Sequence, residues 1–137
     1  MRSRMNNCIF CQISQSLVKS WKIYENEHVY AFLDINPISK YHTLIIPKKH
    51  YKDIFDIPED ELKELVIAIK KLTTLFKEKL GIKNVQIINS SGEEAQQDVF
   101  HVHFHIIPRQ KGDGLDLRWI PNLSLRDEFE KMVKEFD

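Results

Sequence analysis

The chain has 137 residues, enough for one domain and too few for two well-buried ones. Apolar residues make up 42% and charged residues 29%, which excludes a disordered chain. Lys plus Arg and Asp plus Glu are each 20, so the net charge is zero; binding nucleic acid or an anionic membrane through excess basic charge is disfavoured.

Residues 1–7 carry no apolar stretch and read as a flexible extension of a single domain spanning 1–137, not as a secretory signal. No apolar run reaches bilayer length, and the expected compartment is the cytoplasm. Cys8 and Cys11 are the only cysteines. In a reducing cytosol they read as a redox pair, half of a metal site or two buried thiols. The redox reading is the weakest, because seven residues leave no room for a preceding strand.

Residues 22–25 and 28–33 form two short predicted strands around a turn at Asn26-Glu27. Pro37 lacks a ladder donor and breaks the pairing. A third strand is expected over 41–46, ended by Pro47. A long helix over 58–80 starts at Pro58, with Glu59, Asp60 and Glu61 at its positive end, and stops at Gly81. Leu62, Leu65, Val66, Ile69, Leu72, Phe76 and Leu80 recur at three- and four-residue steps, widened by Ala68 and Leu75. So broad a stripe fits either a well-buried helix or a partner subunit on its flank.

Residues 84–89 predict a fourth strand, 90–98 a polar loop and 100–107 a fifth strand closed by Pro108. Ser124-Leu125-Arg126-Asp127 resembles a capping box opening a last helix, with Leu125, Phe129, Met132, Val133 and Phe136 as its apolar side. Five strands with hairpin links and two helices predict an α+β antiparallel sheet.

His101, His103 and His105 alternate with Val102, Phe104 and Ile106. On a strand the imidazoles share one face, neighbours about 7 Å apart, while the apolar row faces the helix. The polar row is expected on an exposed or cleft-facing surface. Three such imidazoles can chelate a catalytic metal, or make one His a nucleophile on phosphorus with neighbours that orient it. The pattern alone leaves both open.

The run His101-Val102-His103-Phe104-His105-Ile106-Ile107 resembles the signature of the histidine triad (HIT) family. The resemblance extends through Cys8-Ile9-Phe10-Cys11, the segment from Phe32 to Pro37, the segment from His42 to His50, Asn89, and Gln97-Asp98-Val99-Phe100. The chain is most similar to the family's Hint-like nucleoside-phosphoramidate hydrolases in their zinc-containing bacterial and archaeal form.

The resemblance implies a nucleotide-binding hydrolase of purine nucleoside phosphoramidates or related conjugates, acting at the α-phosphorus through a nucleotidyl-histidine. His103 would be the nucleophile, with His105, His42 and His101 completing the catalytic group. Ile9, Phe10, Ile13 and Phe32 would hold the base and Asp34 the ribose, with Asn89, Gln97 and the backbone around Asp98 facing the phosphate; Ile35 and Gln96 would also belong to the substrate site. Two positions depart from the family: Gln96 stands where many members have Gly, and Asp98 where some have Ser. The resemblance also implies a structural zinc on Cys8, Cys11, His50 and His101, no catalytic metal, and a homodimer whose sheet continues across both subunits. In the family the C-terminal segment reaches the partner's active site. Alternatives in the same fold are a dinucleoside polyphosphate hydrolase or a nucleotidyl transferase; an alternative of another functional class is a non-catalytic nucleotide-binding or scaffolding protein with a vestigial triad. Neither a membrane nor a nucleic acid is an expected partner.

Overall fold

Asn26 makes the first turn. Its Oδ1 accepts the backbone N–H groups of His28 and Val29 at 2.8 and 2.9 Å, joining β1 (Lys22–Glu25) to β2 (Val29–Leu33). In the computed structural model, which describes residues 7–137, β3 (Thr43–Pro47), β4 (Val85–Ile88) and β5 (Phe104–Pro108) complete one antiparallel sheet ordered β1-β2-β3-β5-β4. The expected extension over 1–7 lies, apart from Asn7, outside the described residues.

Both faces of the central strands are covered. Val29, Ala31, Ile45 and Ile106 point to one side, where α2 (Glu59–Leu80) packs Leu65, Ala68, Ile69, Leu72 and Phe76 against them. Tyr30, Phe32, Leu44 and Ile46 point to the other, under the short helix α1 (Ile9–Ser14), which contributes Phe10 and Ile13. Pro58 caps α2 rather than occupying its first turn, and the helix ends at Gly81 with φ 69°, a left-handed conformation that favours glycine. Val66 leaves the expected stripe at 53% exposure.

The largest departures from the sequence reading fall in β3, β5 and the C-terminal segment. Tyr41 has φ 67°, which no strand residue adopts, so β3 starts at Thr43; it runs through Pro47, whose partner is Val29. The fifth strand starts at Phe104, not at residue 100. Pro47 offers no N–H to extend the β3–β5 ladder, and the Val102 N–H turns to the Tyr51 carbonyl at 2.7 Å. At the C-terminus, Ser124 Oγ donates to Asn122 Oδ1 at 2.6 Å instead of capping. The segment Leu123–Glu128 winds as 3₁₀, and α3 (Phe129–Lys134) is only six residues long.

Candidate active site and metal centre

The alternation expected for residues 101–106 persists through the irregular stretch before β5. Val102 and Ile106 are fully buried on the α2 side, with Phe104 packed beside them. The three histidines take the opposite side, but not as an exposed row: His101 is fully buried and His103 is 4% exposed. Of the two settings expected, the cleft is the one observed: His103 and His105 line a cavity, and α1 covers the row, its Phe10 ring meeting His103 edge-on at 5.1 Å and His101 at 5.9 Å.

Hydrogen bonds assign a tautomer to each ring. His103 Nδ1 lies 2.8 Å from the His101 carbonyl, which can only accept, so Nδ1 carries the proton and Nε2 holds a lone pair. The Ile38 N–H donates to His42 Nδ1 at 3.1 Å, so His42 carries its proton on Nε2. That Nε2 is 2.9 Å from His105 Nδ1, which accepts and leaves the His105 proton on Nε2. Burial lowers the pKa of both rings below the ordinary imidazole value. For His105 the neighbouring His103 and His42 add to the shift, while Asp34 opposes it at both rings.

A cavity of about 230 Å³ opens beside His103 and His105. Its buried end is apolar, with Phe10, Ile13, Phe32 and Leu44; Phe10 and Phe32 meet edge-to-face at 5.6 Å. Ile9, Asp34, Ile35 and Asp98 also line it. Asp34 Oδ1 accepts the Asn36 N–H at 2.8 Å, and Oδ2 lies 3.4 Å from His42 Nε2. Asp98 Oδ1 sits 3.6 Å from His103 Nε2.

Asn89, Gln96 and Gln97 do not line this cavity. Asn89 Nδ2 donates to the His103 carbonyl at 2.9 Å. Gln97 donates to the carbonyls of Lys52 and Val99 and accepts the Gly92 N–H, so its amide braces the loop. Gln96 has φ 68°, left-handed and unfavourable for a residue with a Cβ. The sequence reading missed Leu44 as a cavity residue, although its register opposite Phe32 places it on the same face. It also missed the Ile38 N–H, a backbone group with no side-chain signal. His28 pairs with Glu27 at 3.0 Å and stays outside the site. Two larger open grooves lie near Lys83 and Arg109, one beside β4 and the other between the end of α2 and residues 38–41, and no histidine lines either.

Cys8, Cys11, His50 and His101 place four ligand atoms within 4.8 Å of one another. Cys8 Sγ to His101 Nδ1 is 3.3 Å, Cys11 Sγ to His50 Nδ1 3.4 Å and Cys11 Sγ to His101 Nδ1 3.5 Å. Tetrahedral zinc bonds of about 2.3 Å to sulfur and about 2.0 Å to nitrogen put the two atoms roughly 3.5 Å apart, so the cluster fits. His101 Nε2 is 2.8 Å from the Pro47 carbonyl, which fixes the proton there and frees Nδ1 as a ligand. Burial brings the His101 pKa down to about 4, which keeps the ring neutral.

Residues 15–112 match the HIT domain. Over 129 residues the chain is 38% identical to the adenosine 5′-monophosphoramidase of Saccharomyces cerevisiae, covering 93% of this chain and 79% of that protein. A HIT family protein from Bacillus anthracis superposes with TM-score 0.86 at 34% identity, over 96% of this chain and 95% of that one. A zinc-bound histidine triad family protein from Mycobacterium smegmatis superposes with TM-score 0.77 at 31% identity, over 96% of this chain and 99% of that one.

Proposed function

The chain belongs to the HIT domain family, and from that premise we propose that it hydrolyses purine nucleoside phosphoramidates, or related nucleoside monophosphate conjugates, through a nucleotidyl-His103 intermediate. One observation carries the reading: the His101 carbonyl holds the His103 proton on Nδ1, leaving a lone pair on Nε2 beside the cavity. An amidase named for adenosine 5′-monophosphoramide among the relatives supports the substrate class.

The base lies among Ile9, Phe10, Ile13, Phe32 and Ile35, and Asp34 accepts from the ribose hydroxyls. His103 Nε2 attacks phosphorus and forms an N–P bond. The bond from phosphorus to the departing nitrogen breaks, the electron pair goes to that nitrogen, and it takes a proton from solvent. His105 donates its Nε2–H to a phosphate oxygen, in the orientation set by His42. Water then attacks phosphorus, the N–P pair returns to His103, and the water proton leaves to solvent. Asn89 and Gln97 act as positioning residues, Asn89 through the His103 carbonyl and Gln97 through the loop that presents Asp98.

The Cys8, Cys11, His50 and His101 set would hold a structural zinc ion. When bound, the ion ties α1 to the triad segment; a Cys₂His₂ set leaves no open coordination position. The functional unit is a homodimer. Support comes from Trp119 at 87%, Ile120 at 94% and Phe136 at 91% exposure, apolar surface that is costly to leave in water.

Single-turnover reaction with a substrate radiolabelled in the adenylyl group tests the intermediate. An acid-labile label on the protein, absent in His103→Ala, is expected; no labelling of the wild type overturns the reading and favours a non-catalytic scaffold. Comparing phosphoramidates with dinucleoside polyphosphates separates the amidase from a polyphosphate hydrolase.

A further inference from the structure

The cavity has opposite ends. Phe10, Ile13, Phe32 and Leu44 close one end and are all buried. Asp98 stands at the other, its side chain 81% exposed, with Oδ1 3.6 Å from His103 Nε2. A nucleoside seated in the apolar end places its phosphorus at His103 and directs the leaving group outward past Asp98. Besides the triad imidazoles, the charged side chains lining the cavity are Lys19, Asp34 and Asp98. Lys19 Nζ lies over the Trp21 ring at 5.2 Å from its centroid. With Asp34 assigned to the ribose and Lys19 held over Trp21, the Asp98 carboxylate is the charge beside the departing group, a poor receptor for an anionic leaving group and a favourable one for a cation. Asp98 is also held in place: Oδ1 accepts the Val99 N–H at 2.9 Å, and the Gln97 amide fixes the Val99 carbonyl.

We propose that Asp98 makes this site select nucleoside phosphoramidates whose departing amine carries a second, protonated amino group, and disfavour anionic leaving groups. The inference rests on the hydrolysis proposed above and adds the sign of its leaving-group preference. Asp98 takes no proton in the reaction; its carboxylate accepts hydrogen bonds from the ammonium group as the P–N bond breaks. Because the group is exposed, the effect is modest and sensitive to salt.

The test uses three adenosine phosphoramidates of matched length, made from 1,2-diaminoethane, propylamine and glycine. The kcat/KM ratio of the diaminoethane to the glycine compound is measured in wild type, Asp98→Asn and Asp98→Lys. Asparagine keeps the Oδ1 contact to Val99, so its ratio reports the same two amines in the same cavity without the charge at residue 98. The wild-type ratio is expected to exceed that of Asp98→Asn by roughly three- to tenfold at low ionic strength, and the excess to shrink in about 0.5 M salt. Asp98→Lys should fall below Asp98→Asn. Equal ratios in wild type and Asp98→Asn, with labelled His103 still formed, overturn this inference alone. Failure of wild type to form the labelled histidine with any of the three overturns the parent reading and this inference with it.

Discussion

His103 and His105 present different nitrogens to the same cavity. A carbonyl two residues back sets the first, and a histidine from the β2–β3 connection sets the second. His103→Ala is therefore expected to lower turnover by roughly three to six orders of magnitude, while adenosine monophosphate still binds by calorimetry. Near-normal turnover in a folded variant removes His103 from the role. His42 and His105 also make stability depend on pH. Their folded pKa values lie below the unfolded value of about 6.5, so below that pH the unfolded chain binds more protons. Stability contributed by these rings is complete above about pH 6.5 and declines as pH falls toward the depressed folded values. Melting temperature followed from pH 8 to pH 5 checks the slope, which should shrink in His42→Gln. At Gln96 the left-handed backbone predicts that Gln96→Gly stabilises the fold by about 0.5–1 kcal/mol in urea unfolding.

Helix α1 serves the Cys8, Cys11, His50 and His101 cluster and the cavity beside His103 at once. Cys8 caps it, with Sγ accepting the Cys11 N–H at 3.4 Å, and the same turn carries Ile9 and Phe10 into the cavity. Six residues are too few for a helix to hold itself, so its placement depends on tertiary contacts and on the ligand set. Purified protein should carry about one zinc ion per chain by elemental analysis. Cys8→Ser should lose the metal, melt at lower temperature and bind adenosine monophosphate more weakly, because Phe10 and Ile13 are no longer held. An unchanged melting temperature with full metal content would count against the site. Beneath the opposite face, Ile106 is fully buried against α2, and Ile106→Ala should cost about 2–5 kcal/mol.

The molecule carries more uncovered apolar surface than its core explains. Val66 and Ile67 on α2, Trp119 and Ile120 in the tail, and Phe129, Val133 and Phe136 near the C-terminus are all exposed in the single chain. Among the described residues no helix is long and apolar enough to cross a membrane. A second copy is the proposed cover, so light scattering at micromolar concentration should give twice the chain mass. Trp119→Ala should reorder substrates with different leaving groups more than it changes nucleotide affinity. A monomer defeats the first expectation, and an unchanged ranking defeats the second.

Local chemistry was legible in the sequence. Alternation at His101, His103 and His105, the Cys8–Cys11 spacing, the stop at Gly81 and the break at Pro37 each depend on neighbours within a few residues. Asn89 and Gln97 were expected near the phosphate, but neither lines the cavity; their side chains bind backbone, Asn89 at the His103 carbonyl and Gln97 at the Lys52 and Val99 carbonyls. What remained depends on contacts between residues far apart in the chain. Pro47 decides where β5 begins, because its missing N–H lies on a different strand. Phe10 buries His103 from more than 90 residues away in sequence, and the Ile38 N–H sets the protons of His42 and His105. Sequence determined which imidazoles share a face. Only the tertiary structure decided which nitrogen of each holds the proton, because a ring's tautomer is set by whichever donor or acceptor the fold places against it.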